Sequence, residues 1–145
     1  MSLPVVPPAG VAPMRKLRVL LADDHPGLLA AVRNLLKTDT DVIGCAHDGN
    51  GLLEAAMKLQ PDIIVTDISM PKLSGIQVAH RLRESGCSSR IVFLTVHTDP
   101  DVIRAALETG ALGYVVKTSL TTDLLFAIHE AFQGRTFVSL ETSAE

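Results

Sequence analysis

The sequence has little that would indicate a membrane protein or a nucleic-acid-binding surface. No apolar stretch approaches the roughly 20 residues that a membrane-spanning helix needs, and the amino terminus lacks the charged start and long apolar middle of a secretion signal. The 13 Lys and Arg residues are outnumbered by 16 Asp and Glu residues, which gives a net charge of −3. No basic field favours nucleic acid as a partner of this chain alone, and we expect a cytoplasmic protein that does not bind membranes.

Cysteine and histidine are too sparse and too scattered to indicate a disulfide framework or a zinc site. The two cysteines, Cys45 and Cys87, form no CxxC pair and have no histidine at metal-ligand spacing, which favours reduced thiols. The histidines share no ligand spacing either, and they are His25, His47, His80, His97 and His129.

The chain does contain enough apolar material for one compact domain. Its 145 residues are 47% hydrophobic, and a chain of this size can bury roughly two thirds of its unfolded surface. Residues 1–13 carry four prolines and no helix or strand period, which predicts a flexible, proline-rich leader. We expect one domain over residues 14–134, and a tail or the start of a linker over 135–145.

Short apolar runs of strand type alternate with segments of helical periodicity along the domain. Strict alternation with short loops implies a parallel sheet covered by helices on both faces, since each crossover is right-handed. The pattern predicts a flavodoxin-like doubly wound (βα)5 sandwich with five parallel strands in the order 2-1-3-4-5 and a ligand site at their carboxyl ends. Strands are predicted at 17–22, 41–46, 62–67, 90–96 and 113–117, and helices around 28–36, 51–59, 76–82, 99–108 and 120–132.

The stretch PDIIVTDISMP ends an apolar strand on Asp67, and polar side chains end three other strands. Asp23 and Asp24 follow the first strand, Thr95 closes the fourth and Lys117 closes the fifth. Each has an ordinary explanation when taken alone, because aspartates cap helices and begin turns, threonine is common in strands, and most lysines are solvated. In the predicted order these strands are neighbours roughly 4.8 Å apart, so the side chains are expected to converge on one pocket.

Three clustered carboxylates indicate a bound cation and phosphoryl chemistry. Carboxylates repel one another and shift each other's protonation unless a cation lies among them. Mg²⁺ prefers oxygen ligands and binds through one or two carboxylates. With the metal present, one carboxylate can attack phosphorus and form an aspartyl phosphate, while Lys117 and Thr95 supply charge and a hydrogen bond to the phosphoryl oxygens. Asp67 is the best candidate nucleophile, because it projects from the middle of the carboxyl edge.

A set of motifs in chain order resembles the receiver domain of two-component response regulators. The motifs are Asp23-Asp24 after the first strand, DISMPKLSG after the third, LTV at the fourth and GYVVK at the fifth. The resemblance covers about residues 15–134. The phrases DDHPG and GYVVKTSL are most similar to the NarL/FixJ (LuxR-type) subgroup, whose members usually join the receiver to a helix-turn-helix DNA-binding domain.

The resemblance implies a role for each carboxylate. Asp67 is expected to be the phosphoacceptor and, with Asp23, Asp24 and the backbone carbonyl of Ser69, part of the Mg²⁺ site. Asp24 would be a direct ligand, and Asp23 would act through water.

The resemblance also implies a switch. Lys117 would bind a phosphoryl oxygen. The Thr95 hydroxyl would move toward the phosphoryl group while the Tyr114 ring rotates inward into the space that it leaves. Ser69 and His97 occupy the positions that usually set the lifetime of the phosphoryl group, although loop solvation explains them equally well.

The implied partners are a sensor histidine kinase and an output domain for transcription regulation. Only RTFVSLETSAE follows Gly134, which is too short for a DNA-binding module. We expect a receiver from a longer transcription factor; the alternative is a stand-alone receiver that acts through protein contacts. Phe126 lies opposite the core stripe of the last helix, so it is a candidate contact for homodimers formed through helix 4, strand 5 and helix 5.

Two other classes of function fit the sequence less well. A phosphatase of the haloacid dehalogenase type also forms an aspartyl phosphate, but it needs a second aspartate two residues after the nucleophile, where this chain has Ser69. A nucleotide-binding module needs a glycine-rich first turn, and ADDHPG lacks that pattern. We therefore expect a protein that catalyses only its own phosphorylation and dephosphorylation, not an enzyme acting on a diffusible substrate.

Overall fold

Within residues 15–139, the part of the chain that the computed structural model describes, six parallel strands form the centre and five α-helices cover both faces. The strands are β1 Leu17–Ala22, β2 Thr40–Ala46, β3 Ile63–Thr66, β4 Arg90–Thr95, β5 Gly113–Val116 and β6 Phe137–Val138. The helices are α1 Pro26–Leu36, α2 Gly49–Leu59, α3 Gly75–Glu84, α4 Pro100–Glu108 and α5 Leu120–Phe132.

The sheet has the order β2-β1-β3-β4-β5-β6, and all neighbouring strands are parallel. The predicted doubly wound fold and the order of its first five strands are confirmed. The structure adds a sixth strand, Phe137–Val138, which falls in the expected tail and is too short to show a strand period in the sequence. The predicted leader, residue 14 and the last part of the tail, 140–145, lie outside the described residues.

Successive strand residues belong to two apolar cores, one on each face of the sheet. Leu20 and Ile64 pack with side chains of α2, α3 and α4. Leu21 and Val65 pack on the other face with side chains of α1 and α5. Because both faces are covered, the central strands are apolar almost throughout, and polar side chains gather where the strands end.

Strands β3, β4 and β5 end one residue earlier than predicted, whereas β1 and β2 end where predicted. β3 ends at Thr66 and β5 at Val116, so Asp67 and Lys117 lie just beyond the ladder. Lys117 begins a single 3₁₀ turn that leads into α5. Both side chains are therefore carried on the first residue of a loop, anchored by a buried strand.

Local signals define the helix ends. The Asp48 carboxylate caps α2, which ends at Leu59 as predicted; Gln60 follows in a left-handed conformation (φ 49°) directly before Pro61. Ser74 and Gln77 form a reciprocal capping box at the start of α3. None of the helices within residues 15–139 has the length and apolar character needed to cross a membrane.

Candidate functional site

Three charged side chains meet at the carboxyl ends of β1, β3 and β5. The Lys117 ammonium lies between two carboxylates, 2.8 Å from Asp23 Oδ2 and 2.9 Å from Asp67 Oδ2. The parallel register brings them together, because Ala22 at the end of β1 is paired with Thr66 at the end of β3. The structure thus joins three of the predicted site residues in one pocket.

Burial strengthens the interactions between the charged groups of this pocket, because little water screens them. The side chains of Asp23 and Asp67 are 4% and 6% exposed, and that of Lys117 is 16% exposed. Burial raises the pKa of Asp23, but hydrogen bonds from Lys117 and His25 outweigh it and hold that pKa below its ordinary value. Burial likewise lowers the pKa of Lys117, but its bonds to Asp23 and Asp67 reverse the direction and raise it. The lysine therefore stays an ammonium beside the ionised Asp23 carboxylate.

The third predicted carboxylate, Asp24, lies at the mouth of the pocket and is linked to Asp23 by His25. The His25 Nδ1 atom is 2.9 Å from Asp23 Oδ1 and 3.1 Å from Asp24 Oδ1. The backbone N–H of His25 also donates to Asp23 Oδ1, at 2.9 Å. Sequence reasoning grouped His25 with the scattered histidines and missed this place, although its position directly after the aspartate pair was a signal.

The donor set at the mouth suits a hard divalent cation. Ligand atoms of Asp23, Asp24 and His25 lie within 4.8 Å of one another. Mg²⁺ prefers carboxylate oxygens and water to imidazole nitrogen, so the two aspartates fit this ion without His25 as a ligand. The backbone carbonyl of Ser69 as a further ligand stays a prediction.

Backbone contacts hold Asp67 firmly at the end of β3. Its N–H donates to the Ala22 carbonyl at 3.1 Å, and its Oδ1 accepts from the Ile68 N–H at 2.6 Å. The N–H of Gly75 donates to the Ile68 carbonyl at 2.7 Å, and a Cβ atom at Gly75 would overlap the carbonyl oxygen of Asp67. Glycine is therefore required where α3 begins against the candidate nucleophile.

The proposed switch pair, Thr95 and Tyr114, is fully buried and joined through the backbone of His97. The Tyr114 hydroxyl donates to the His97 carbonyl at 2.8 Å, and the His97 N–H donates to Thr95 Oγ1 at 3.4 Å. Burial, together with the charges of Asp67 and Asp99, raises the pKa of Tyr114 to about 12. Thr95 thus closes β4 as predicted, but its hydroxyl is held by the β4–α4 loop.

A direct hydrogen bond links the two positions expected to set phosphoryl lifetime. Ser69 Oγ lies 2.8 Å from His97 Nε2, so the loops after β3 and β4 touch at the rim of the pocket. This contact could not be anticipated from the sequence, because 28 positions separate the two residues.

Phe126 is exposed as expected, but its ring has a partner. Its relative exposure is 54%, and its ring packs edge-on against Phe137 of β6 with centroids 5.3 Å apart. The exposed Phe126 ring on α5 and the Phe137 ring on β6 therefore form one aromatic surface.

Residues 19–129 match the family model of the response regulator receiver domain. The transcriptional regulatory protein YvfU of Bacillus subtilis is 38% identical over 127 residues, which cover 86% of this chain and 64% of that protein. The nitrate/nitrite response regulator NarL of Escherichia coli is 38% identical over 123 residues, covering 83% and 57%. The chain thus spans between half and two thirds of the length of these relatives.

Solved structures agree with the sequence comparison. A LuxR-family two-component response regulator from Aurantimonas superimposes with a TM-score of 0.80 at 31% identity, covering 84% of this chain and 89% of that one. The isolated receiver domain of RcsB from Salmonella enterica, solved with a phosphomimetic BeF₃⁻, gives 0.79 at 29% identity, covering 86% and 94%. The chain therefore belongs to the response regulator receiver domain family, and its relatives are regulators of the NarL/LuxR type.

Proposed function

We propose that this chain is a phosphorylation-activated signalling switch that accepts a phosphoryl group on Asp67 from the phosphohistidine of a sensor kinase. The observation that carries the proposal is the Lys117 ammonium between Asp67 and Asp23, at 2.9 and 2.8 Å, in a pocket closed to solvent on its inner side. A nucleophilic carboxylate with a fixed cation beside it is the arrangement that phosphoryl transfer requires, because charge builds up on the phosphoryl oxygens.

In the proposed reaction, a carboxylate oxygen of Asp67 attacks phosphorus and forms an O–P bond while the N–P bond to the kinase histidine breaks. The departing ring nitrogen keeps the bonding electron pair and takes a proton from solvent. Lys117 stabilises the charge on the transferring oxygens, and the Thr95 hydroxyl donates a hydrogen bond to one of them. Hydrolysis of the aspartyl phosphate later restores Asp67.

Asp23, Asp24, Asp67 and the Ser69 carbonyl would hold the Mg²⁺ ion. When bound, the ion supplies positive charge that offsets the carboxylates and the phosphoryl oxygens. The His25 ring nitrogen lies 2.9 Å from Asp23 Oδ1 and 3.1 Å from Asp24 Oδ1, so this residue holds the two carboxylates side by side.

Phosphorylation is proposed to act by shifting a population between two arrangements. A phosphoryl group on Asp67 offers the Thr95 hydroxyl a stronger acceptor than its present place beside the His97 N–H. The Tyr114 hydroxyl donates to the His97 carbonyl, so a movement of the loop that carries His97 displaces the Tyr114 ring. The Tyr114 ring is fully buried in this structure, so the proposed shift changes how its hydroxyl is held rather than its exposure.

The output is proposed to be transcription regulation in the cytoplasm. YvfU is named a transcriptional regulatory protein and NarL a nitrate/nitrite response regulator, and both are longer than this chain. A DNA-binding domain outside this chain would contact DNA, and the surface of α4, β5 and α5 would form homodimers. The protein would turn over only its own phosphoryl group.

A stand-alone receiver that acts through protein contacts is the alternative output. Reading the gene beyond the codon for Glu145 separates the two, since a helix-turn-helix coding region would select the transcription factor. A phosphatase acting on diffusible substrates is disfavoured, because Ile68 and Ser69 follow Asp67 where that class needs a second carboxylate.

The test is the intact mass of the protein after incubation with acetyl phosphate, with and without Mg²⁺. We expect one phosphoryl group on the native chain only when Mg²⁺ is present, and none on Asp67→Asn. Asp101→Asn is the matched control, because the Asp101 side chain is 89% exposed on α4. Equal phosphorylation of Asp67→Asn and the native chain would refute the assignment of the acceptor.

A further inference from the structure

The short strand β6 is attached to β5 by hydrogen bonds on both sides of Tyr114. The Phe137 N–H donates to the Leu112 carbonyl at 2.9 Å, and the Ser139 N–H donates to the Tyr114 carbonyl at 2.8 Å. In this ladder Val138 is the partner of Tyr114 itself. The chain that follows α5 therefore pairs with the strand that carries the candidate switch residue.

The Ser139 hydroxyl extends this attachment to the end of β5. It donates to Asp123 Oδ2 at 2.8 Å and accepts from the Val116 N–H at 3.4 Å. Ser139 is 5% exposed, and Asp123 lies in the first turn of α5. Val116 directly precedes Lys117, so one buried hydroxyl joins β6 and α5 to the backbone that presents the Lys117 ammonium.

The side chains of β6 reach both cores. Val138 packs against the core that contains Tyr114, and Phe137 packs against the opposite core. The Phe137 ring also meets Phe126 edge-on, with centroids 5.3 Å apart. Strand β6 is thus held by backbone hydrogen bonds, a buried hydroxyl and packing on both faces. These contacts go beyond the backbone pairing that would cover the edge of the sheet.

We infer that residues 137–139 form a C-terminal clasp, in which Ser139 is a positioning residue for Tyr114 and Lys117. By holding the Tyr114 carbonyl and the Val116 N–H, Ser139 fixes the backbone on both sides of Val115. The Tyr114 ring and the Lys117 ammonium depend on that backbone. In the second part of the inference, which rests on the proposed function, phosphorylation of Asp67 changes the hydrogen bonds of the clasp and thereby affects the residues after Ser139.

The single tyrosine of the chain provides a direct test of the first part. The sequence contains one Tyr and no Trp, so the intrinsic fluorescence reports on Tyr114 alone. Tyr114 is fully buried, so acrylamide should quench it weakly in the native chain. We expect Ser139→Ala to raise the quenching constant at least twofold, and Asp123→Asn to raise it by a smaller factor.

Ser85→Ala is the matched control, because its partly buried hydroxyl also donates to a backbone carbonyl, that of Leu82 at the end of α3. Far-UV circular dichroism checks that every variant is folded, and Asp123→Asn keeps the test decisive if Ser139→Ala unfolds. Quenching constants that are equal in the native chain and in both clasp variants would overturn the inference.

The second part is tested by amide hydrogen exchange with acetyl phosphate and Mg²⁺. We expect the exchange rates of the Phe137 and Ser139 N–H groups to change at least threefold when Asp67 is phosphorylated. Unchanged rates in a sample whose intact mass shows full phosphorylation would overturn the coupling. If the mass shows no phosphorylation, the proposed function fails, and the quenching comparison still decides whether the clasp positions Tyr114.

Discussion

At the scale of single residues, the pocket depends on one ammonium group that offsets two buried carboxylates. We predict that Lys117→Met, in metal-free buffer near neutral pH, lowers the free energy of unfolding by about 3 kcal/mol, since removing one partner leaves buried charge unpaired. Urea unfolding measures this loss. Lys58→Met is the control, because Lys58 is exposed on α2 and should change stability by less than about 0.5 kcal/mol.

The same comparison has a defined pH dependence. The pKa of Asp23 lies below its ordinary value of 3.8, so its contribution to stability is present above pH 3.8 and is lost as pH falls through the lower value of the folded state. Lys117→Met removes the main partner that lowers this pKa. The stability difference between native protein and variant should therefore narrow as pH falls below 3.8. A difference that stays constant down to the acid transition would contradict the charged pocket.

A second residue-scale prediction concerns Tyr114, whose ionisation can be followed by absorbance because it is the only tyrosine. We expect a midpoint of about 12 in the folded protein and of 10.0 in urea. The neutral hydroxyl is favoured by folding, so its contribution to stability is present below pH 10.0 and is lost as pH rises toward 12. A midpoint near 10.0 in a protein that circular dichroism shows to be folded would mean that the hydroxyl is not buried.

The hydrogen bond between Ser69 and His97 gives a third prediction, for the lifetime of the phosphorylated form. A net hydrogen bond is worth about 1 kcal/mol, so His97→Ala should change the decay rate roughly fivefold. Ser69→Ala should change it in the same direction, and the double variant should add little, because both remove one bond. Decay is measured by intact mass, with His80→Ala on the exposed face of α3 as control. Unchanged decay in both single variants would leave these residues as ordinary loop residues.

At the scale of elements, the position of Asp67 depends on how α3 begins. Ser74 and Gln77 cap this helix reciprocally, and an N-cap serine contributes about 1 kcal/mol. We predict that Ser74→Ala lowers the free energy of unfolding by about that amount, measured with urea. Thr121→Ala, at an exposed position in the first turn of α5, is the control. Equal stability of Ser74→Ala and the native chain would show that the capping box does not stabilise the start of α3.

The elements also show how far the sequence could take the prediction. Buried parallel strands leave long apolar runs, and polar residues at their carboxyl ends identify the pocket, so Asp23, Asp67 and Lys117 could be selected before the structure was seen. Strand β6 could not, because two residues carry no period. The Ser69–His97 and Ser139–Asp123 contacts were also out of reach, since each depends on how separate loops approach each other in space.

At the scale of the whole molecule, the surface of α5 and β6 is where partner binding is expected. Phe126 lies 54% exposed on Phe137, so Phe126→Ala should weaken self-association of the phosphorylated form without lowering phosphorylation of Asp67. Sedimentation velocity measures this. Met57→Ala is the control, because Met57 is 44% exposed on α2. Identical self-association of Phe126→Ala and the native chain would exclude this ring from the interface.

The whole molecule acts as a switch only if the chemistry takes place at Asp67. Reduction of the acetyl phosphate-treated protein with borohydride, followed by peptide mass mapping, converts an aspartyl phosphate into homoserine and so locates it in the chain. We expect homoserine at position 67 alone, formed only when Mg²⁺ was present during phosphorylation. Homoserine at another aspartate, or an unmodified Asp67 in a protein that has gained a phosphoryl group, would contradict the central claim that the pocket of Asp23, Asp67 and Lys117 is built to phosphorylate Asp67.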